Sequence, residues 1–554
     1  MTGRRDSGEG AGMTRLEATA GLETHEVLNQ PEPPGDRDLW RDDPVLRGAL
    51  EESGAALDEL ARYGETLGRA ELREAARAAN RNPPELRLFD SGGRRLDEVS
   101  FHPDYHRFMR ISAGAGYHAI AWEGGAAGHL THAAMVYLAS QVEPGHCCPL
   151  TMTHAAVPVI AAGDLPGDWR GRMLSRRYDP SVRPMADKTG VTLGMAMTEK
   201  QGGSDVRANT TRAERDGAGW RLTGHKWFCS APMSDGFLTL AQAEGGLTCF
   251  LVPRWLEEGR NGIRIQRLKD KLGNRSNASA EIEYHRALAW QLGGEGDGVR
   301  TILEMVHHTR LDTAMAPAGL MRAALREAHH WVSRRTAFQK RLIDQPLMRA
   351  ILADLVLDWQ GSLTLGLAVA RSFDGTGEGD RAFARIGVAL AKYLANKLCP
   401  PVVAEAMEVL GGMGYVEDTP LPLLYREAPL NGIWEGSGNV ICLDALRTLA
   451  REPLAREALA ARLEAERGLD RHYDSALADW RERWGRGVAE AEARWFVEQG
   501  ALLLTAAVLL EAGDETLAAA FIRTRLGGER GRTGGTIPAG LAEAILARGF
   551  PFHD

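Results

Sequence analysis

The 554-residue chain is too long for one compact core, so we expect several domains or packed layers. Hydrophobic residues make up 44% and charged residues 25%, a globular composition, and the net charge of -8 excludes a general attraction for nucleic acid. The six cysteines form no CxxC motif and have no zinc-ligand spacing with histidines. We therefore expect no metal, and a reducing, cytoplasmic location.

The predicted elements begin after an N-terminal segment that is rich in glycine and charge. Residues 1–40 lack the apolar stretch of a secretory signal, and we expect them to form a flexible arm. From 41 to 190, apolar residues recur at spacings of three and four, which predicts a helical domain. The turn-forming cluster RNPPELRLFDSGGRR at 81–95 interrupts this pattern.

The pattern changes to β between 191 and 300. Segments such as WRLTGHKWF, GLTCFLVPR, NGIRIQRL and AEIEYHRAL are short, β-branched or alternating, and are separated by turn residues. Helical spacing returns from 301 to 450, where PVVAEAMEVL is ended by Gly411 and Gly412. Residues 451–554 form a further helical extension, in which ALLLTAAVLL is too short to span a bilayer and indicates a buried helix.

Three segments place polar side chains next to glycines or aromatic residues and are candidates for a binding or catalytic site. MAMTEKQGGSD at 195–205 combines hydroxyls with adjacent glycines, whose amides suit a phosphate or a flat polar ligand, although alone it predicts only a turn. GHKWFCSAP at 224–232 alone predicts a half-buried strand edge. Glu435 stands beside Trp434 in NGIWEGSGNV, whereas a lone glutamate is usually a solvated charge.

Two pairs of adjacent histidines also occur on predicted helix, His307 with His308 and His329 with His330. Neighbouring residues on a helix diverge by about 100 degrees, so neither pair can chelate an ion by itself. We expect no functional role for these pairs.

Five segments together resemble the flavin and catalytic motifs of the acyl-CoA dehydrogenase family, in the same order and at similar spacing. They are MTEKQGGSD, KWFCS, LKDKLGNRSNASAEIEY, RRTAFQKRLIDQPLMRAILADL and EVLGGMGYVEDTPLPLLYREAPLNGIWEGSGN. Further segments, including NPPELRLFD, RRLDEVSFHP and CPLTMTHAA, resemble the AidB branch, whose members are flavoproteins of the response to DNA alkylation. The resemblance implies a mainly α fold with a central β domain: an N-terminal helical domain, a β-barrel domain, a C-terminal four-helix bundle and a helical extension.

The resemblance also implies FAD as the cofactor and assigns residues to it. Thr198 and Ser204 would bond to the ring edge and the phosphate side, Ser230 would reach the N5 and O4 edge, and Phe228 would pack beside the ring. Arg335 would meet the pyrophosphate of a neighbouring subunit, in a homotetramer. The other implied contacts are Met197, Gly203, Cys229, Phe338, Ile433, Trp434, Gly436, Gly438 and Asn439.

Glu435 is the catalytic base in this interpretation. Dehydrogenation of an acyl thioester removes an α proton while hydride leaves the β carbon for the flavin, so a carboxylate has to face the substrate across from the ring. Apolar surface on Trp434 would desolvate the carboxylate and raise its pKa toward the working range.

Two functions remain open. The first is an alkylation-response flavoprotein that also binds double-stranded DNA, and the alternative is an ordinary acyl-CoA dehydrogenase with no DNA role. Residues 451–554, the DNA-binding part implied by the AidB resemblance, contain 14 arginines, no lysine and 17 acidic residues, a balance of -3 that opposes binding to phosphates. The basic residues of FIRTRLGGERGRTGG, namely Arg523, Arg525, Arg530 and Arg532, are the first candidates for DNA contact, and 170–177 is the next.

Overall fold

The structure is a computed structural model that describes residues 18–550. Its N-terminal part is helical, as the spacing predicts. The helices are α1 (Pro44–Leu50), α2 (Leu57–Leu67), α3 (Ala70–Arg81), α4 (Pro103–Ala115), α5 (Gly128–Ser140), α6 (Cys147–Ala161) and α7 (Trp169–Met173). Residues 1–17 of the predicted arm lie outside the described residues, and its remaining residues, 18–40, form irregular chain. From Asn29 onward this chain contacts the helical body, since the His330 ring bonds to the Glu32 carbonyl at 2.8 Å.

The cluster at 81–95 is more than an interruption. It forms an antiparallel hairpin of β1 (Glu85–Phe89) and β2 (Arg95–Ser100). The turn is closed by Asp90, whose Oδ1 accepts the backbone N–H groups of Gly92 at 2.9 Å and Arg94 at 2.8 Å. The turn was expected from its residues, but the two short strands beside it were not predicted.

The β domain is a closed barrel. Its strands are β3 (Leu193–Ala196), β4 (Arg212–Asp216), β5 (Gly219–Ser230), β6 (Gly236–Ala243), β7 (Gly246–Pro253), β10 (Ile263–Leu268) and β11 (Ser279–Leu292), and β8 (Trp255–Leu256) and β9 (Gly259–Arg260) form a separate hairpin between β7 and β10. Antiparallel pairing runs from β4 through β5, β11 and β7 to β6, and the pair Arg212 with Gln242 returns to β4. β3 lies parallel to β6 and β10 antiparallel to β11, outside this ring.

Long helices return after the barrel and share one apolar core with the N-terminal helices. They are α8 (Gly298–Arg334), α9 (Pro346–Asp374), α10 (Glu378–Val409), α11 (Leu421–Glu427) and α12 (Gly438–Arg451). α8 packs against α5, α6, α9 and α10. Gly411 adopts φ +60 directly after α10, which confirms the predicted stop, because this left-handed conformation favours glycine.

The helical pattern expected over 301–450 does not hold at RRTAFQKRL. α8 ends at Arg334, and the chain continues as a short hairpin of β12 (Thr336–Ala337) and β13 (Lys340–Arg341) before α9. Phe338 and Gln339 at the tip have φ of 51 and 65, values that a helix excludes. Arg335 therefore lies in extended chain at the helix end, where its guanidinium donates to the Asn29 carbonyl at 2.8 Å.

The extension consists of helices that pack on α9, α10 and α12. They are α13 (Pro453–Ala465), α14 (Arg471–Trp484), α15 (Ala493–Glu511), α16 (Glu515–Phe521) and α17 (Ala542–Gly549). The stretch Glu490–Glu511 is long and apolar enough to cross a membrane by composition, yet 72% of its apolar window is buried inside the protein. This confirms the prediction of a buried helix at ALLLTAAVLL.

The basic stretch expected to contact DNA is mostly engaged in ion pairs. Arg525 is buried and lies 2.7 Å from both Asp354 and Asp358 of α9, and Arg530 lies 3.0 Å from Asp354. Arg523 pairs with Glu529 at 2.5 Å. Three of the four arginines expected to contact DNA thus have carboxylate partners within the fold, and the Arg525 side chain is too buried to reach a duplex. Arg532 is exposed, and DNA contact by this stretch stays a prediction.

Candidate active site

The two barrel motifs form one surface. The segment after β3 carries Thr198, whose carbonyl accepts the backbone N–H of Trp227 on β5 at 2.7 Å. This bond places the segment that contains Met197, Thr198, Gly203 and Ser204 beside β5, whose last residues are Phe228, Cys229 and Ser230. Gly203 approaches Thr198 so closely that a Cβ at this position would overlap the Thr198 hydroxyl.

A buried ion pair fixes the loop between these motifs. Lys226 Nζ lies 2.8 Å from Glu199 Oε1, and both side chains are fully buried. Glu199 Oε2 also accepts the backbone N–H of Thr210 at 2.6 Å. Burial alone would raise the pKa of Glu199, but the Lys226 ammonium and these donors hold that pKa well below its usual range. The sequence analysis missed this pair, although a lysine within a strand was a signal that it had a partner.

The residues of β5 differ in what they present. The Phe228 ring is 48% exposed, an unusual position for a large apolar side chain at a strand end. The Cys229 side chain is buried in the barrel core, so only its peptide group can face a ligand. Ser230 is half-buried. The predicted contact of Cys229 with FAD can therefore involve only its peptide group and not its thiol.

Glu435 lies on a strained turn. Its φ is 56, and Gly436 follows at φ 101, so two successive residues adopt conformations that side chains disfavour. Thr309 of α8 donates its hydroxyl to Glu435 Oε2 at 2.8 Å, and Arg310 Nε donates to the Glu435 carbonyl at 3.2 Å. Lys392 of α10 donates to the Gly436 carbonyl at 3.0 Å. Three buried side chains from two helices therefore hold the turn.

Burial raises the pKa of Glu435, against the opposing effects of the Thr309 hydroxyl and of Lys392 and Arg310. Burial also lowers the pKa of Lys392 to about 7. A carboxyl group with a raised pKa beside a cation with a lowered one is the arrangement expected where protons are exchanged near neutral pH. None of Thr309, Arg310 and Lys392 was singled out from the sequence, because they belong to other helices.

The Glu435 turn and the barrel motifs meet over one apolar cluster. Trp434 and Met197 both pack against it, and the Trp434 indole N–H donates to Asn431 Oδ1 at 2.7 Å. Cys148 of α6 belongs to this cluster, where burial, together with the Glu435 carboxylate, raises the pKa of its thiol to about 12, against the opposing effects of Lys271 and the Ser230 hydroxyl. Cys148 is thus close enough to Glu435 for the carboxylate to affect its thiol.

The predicted residues around α12 are placed differently. Ile433 is 64% exposed, and Gly438 begins α12 against the end of the Lys397 side chain. Asn439 Oδ1 accepts a hydrogen bond from Arg494 Nε of the extension at 2.6 Å. The extension therefore reaches the residues that follow the Glu435 turn, a contact that no local sequence pattern predicts.

Arg335 and Phe338 are not brought to Glu435 within one chain. α8 runs unbroken from Gly298 to Arg334, and at about 1.5 Å per residue Arg335 lies roughly 39 Å along the helix from Thr309. Phe338 is 94% exposed at the hairpin tip. These two residues therefore do not line the Glu435 site of their own chain.

The chain is 45% identical over 515 residues to "Putative acyl-CoA dehydrogenase AidB" of Escherichia coli strain K12, which is 91% of this chain and 95% of that relative. The chain belongs to the AidB branch of the acyl-CoA dehydrogenase family. Residues 29–180 match the family described as "Adaptive response protein AidB N-terminal domain". The middle and C-terminal domains of acyl-CoA dehydrogenase match residues 194–287 and 296–450.

Other relatives agree with this placement in the family. "Acyl-CoA dehydrogenase family member 11" of Caenorhabditis elegans is 32% identical over 79% of this chain and 75% of its own length. The solved structure of ACDH-11 from the same organism, in complex with C11-CoA, superimposes with a TM-score of 0.82 at 26% identity, covering 96% of this chain and 97% of that one. The predicted fold class of an AidB-type acyl-CoA dehydrogenase with a helical extension is confirmed.

Proposed function

We propose that the protein is an FAD-dependent oxidoreductase that dehydrogenates the CH–CH unit of an acyl thioester, with Glu435 as the base. The observation that carries the proposal is the Glu435 turn. A half-buried carboxyl group with a raised pKa is held at φ 56 by buried partners, on the cluster that also supports the two barrel motifs. Such strain persists only where the surroundings enforce it, and it is concentrated at active sites.

The residues present fit a flavin. Thr198 and Ser230 offer hydroxyls, and Gly202, at φ 132 with open space where a side chain would be, lets a ligand come close to the backbone. Phe228 and Ile433 leave apolar surface exposed that a ring would cover. When bound, FAD supplies the acceptor for the hydride. The residues of this chain would hold and orient it, with Ser204 on the phosphate side.

The two oxygens of Glu435 have different tasks. Oε2 accepts the Thr309 hydroxyl at 2.8 Å, which leaves Oε1 to take the α proton of the substrate. Trp434, fixed by Asn431, covers the carboxyl group with apolar surface and keeps water away. The low pKa of Lys392 places a second titrating group behind the turn, where it balances the charge of the carboxylate.

A homotetramer would complete the site. Because Arg335 lies roughly 39 Å along α8 from Thr309, it would reach the pyrophosphate of FAD in a neighbouring subunit. Phe338, 94% exposed beside it, would be covered in the same contact. The six free, buried cysteines support a reducing compartment, and we propose that the protein is cytoplasmic.

The physiological setting we propose is the response to DNA alkylation, as the AidB branch suggests. Within that setting, duplex DNA binding is opposed by the -3 balance of residues 451–554 and by the ion pairs of Arg525 and Arg530. Binding of intact protein to a DNA duplex at about 50 mM and about 200 mM salt tests it, because phosphate contacts weaken steeply with salt. Absence of binding at low salt favours the alternative of a dehydrogenase with no DNA role.

The substrate class is tested by anaerobic titration of the flavoprotein with a panel of acyl-CoA thioesters of graded chain length. The structure of a relative with C11-CoA makes medium and long chains the first choice. We expect at least one thioester to bleach the flavin absorbance, while the free carboxylic acid does not. A protein that binds FAD but is reduced by no thioester would refute the dehydrogenase function.

A further inference from the structure

Three histidines from three helices converge beside the active site. His129 lies on α5, His154 on α6 and His308 on α8, and one ring nitrogen from each lies within 4.8 Å of the other two. The ring centroids are 5.1 to 5.7 Å apart. His308 directly precedes Thr309, the partner of Glu435. The residues come from positions far apart in the sequence, which is why no ligand spacing revealed them.

Each of the three rings carries a buried nitrogen without a hydrogen-bond partner among residues 18–550. These are Nδ1 of His129, Nε2 of His154 and Nδ1 of His308. A buried polar atom without a partner costs about 1 to 3 kcal/mol, and native structures contain few of them. Three such atoms on mutually adjacent rings indicate that the cluster is completed by something other than protein.

The rings are electrically suited to a cation. Burial lowers the pKa of His129 to about 3, and it lowers the pKa values of His154 and His308 well below the ordinary value. All three rings are therefore neutral near pH 7, and a neutral imidazole has the lone pair that a metal ion needs. Two protonated rings at this separation would instead repel each other.

The surroundings hold the rings in place. His132 stacks on His154 with centroids 3.7 Å apart, and its own nitrogens are bonded to Asp312 at 2.8 Å and to the Tyr117 carbonyl at 2.6 Å. Asp374 accepts the backbone N–H of His129 at 2.7 Å. Such supporting contacts orient ligands at metal sites.

The hydrogen bond of Trp122 to the cluster has to change when a metal ion binds. Its indole N–H is shared between His154 Nδ1 at 3.1 Å and the His154 carbonyl at 3.0 Å. Coordination through Nε2 leaves the proton of the ring on Nδ1, and the Trp122 N–H then has to settle on the carbonyl.

We propose that His129, His154 and His308 bind one divalent transition-metal ion of the zinc class. Three imidazoles suit zinc, copper or nickel, whereas magnesium and calcium prefer oxygen ligands. Zinc to nitrogen distances of about 2.0 to 2.1 Å place tetrahedral ligand atoms about 3.3 Å apart, so the rings close by about 1.5 Å at most. Three protein ligands leave a fourth position for water.

Zinc binding by the intact protein tests the proposal. The protein is stripped with a chelator and dialysed against Zn²⁺, and its metal content is measured. We expect about one zinc per chain. Each of His129→Gln, His154→Gln and His308→Gln should weaken binding by about 100-fold or more, since even supporting residues at such sites contribute 10- to 100-fold.

The matched control is His307→Gln. His307 neighbours His308 on α8 but stacks on Phe373 with centroids 4.5 Å apart, so zinc affinity should not change. Zinc should also raise the melting temperature of the unsubstituted protein and of this control, but not of the three ligand variants, and flavin content shows that each variant is folded. Less than stoichiometric zinc in the unsubstituted protein, or affinity unchanged in the ligand variants, would overturn the proposal and leave a buried water as the occupant.

Discussion

Asp354 of α9 holds the extension to the helical bundle, and its removal should loosen that contact. The carboxylate is fully buried and accepts from Arg525 at 2.7 Å, from Arg530 at 3.0 Å and from the Gly535 N–H at 2.9 Å. Asp354→Asn keeps the size of the side chain and removes its charge. Removing one partner of a buried ion pair costs about 3 to 5 kcal/mol. We expect the lower end, about 3 kcal/mol, because Asp358 still lies 2.7 Å from Arg525.

Amide hydrogen exchange, compared between Asp354→Asn and the unsubstituted protein under native conditions, measures the loss of stability in the extension itself. A loss of about 3 kcal/mol in local opening should speed exchange of amides in 515–550 by roughly 100-fold, while the barrel is unchanged. The control is Glu464→Gln, which removes a carboxylate paired with Arg467 and Arg481 at the surface, where such pairs contribute about 0 to 1 kcal/mol. If both variants exchange equally fast in 515–550, the reasoning about the buried pair is refuted.

Three further predictions concern the site and the assembly. Thr309→Val removes a hydrogen-bond donor that lowers the pKa of Glu435, so the acidic limb of the pH profile of kcat/KM should move to higher pH by about one unit. An acidic limb at the same pH would show that Thr309 does not influence proton transfer to Glu435. Gly203→Ala should weaken FAD retention about 10-fold or more, because its methyl group overlaps Thr198, whereas Gly379→Ala, in open space, should not; equal retention contradicts the role of the segment. Phe338→Ser should shift the proposed tetramer to smaller species in light scattering, since it removes apolar surface from the expected subunit contact, and an unchanged mass would place that contact elsewhere.

Much of the fold was predictable because its elements carry their own periodicity. The alternation in WRLTGHKWF is the strand β5, and the apolar stripe before Gly411 is the end of α10. The predictions failed where a local turn interrupts a segment whose spacing otherwise indicates a helix. The residues around Phe338 lie between two long helices and continue their spacing, yet the backbone turns at positive φ where α8 ends, and α9 then packs back on α8.

Only the site residues that lie in family-like sequence motifs could be predicted. Glu435 and Ser230 stand in recognisable segments, but Thr309, Arg310 and Lys392 approach the turn from other helices. Lys392 offered one signal, since it is one of eight lysines in an arginine-rich chain and lies in an apolar helix.

Charges were misjudged for a related reason. The sequence shows a basic stretch at 523–532, but the carboxylates that neutralise Arg525 are more than 160 positions away, on α9. The same separation hid the three histidines on α5, α6 and α8. Partners distant in sequence leave no local pattern, and contacts of this kind decide which charges remain free at the surface.

The central claim is that Glu435 takes the α proton, and single-turnover flavin reduction of Glu435→Gln tests it most directly. The variant and the unsubstituted protein are mixed anaerobically with the thioester that bleaches the flavin fastest, at matched FAD content. The account predicts that the rate of bleaching falls by at least ~10²-fold in the variant, the lower end of what a general base contributes, while FAD stays bound. A rate equal to that of the unsubstituted protein would contradict the account and move the base to another residue.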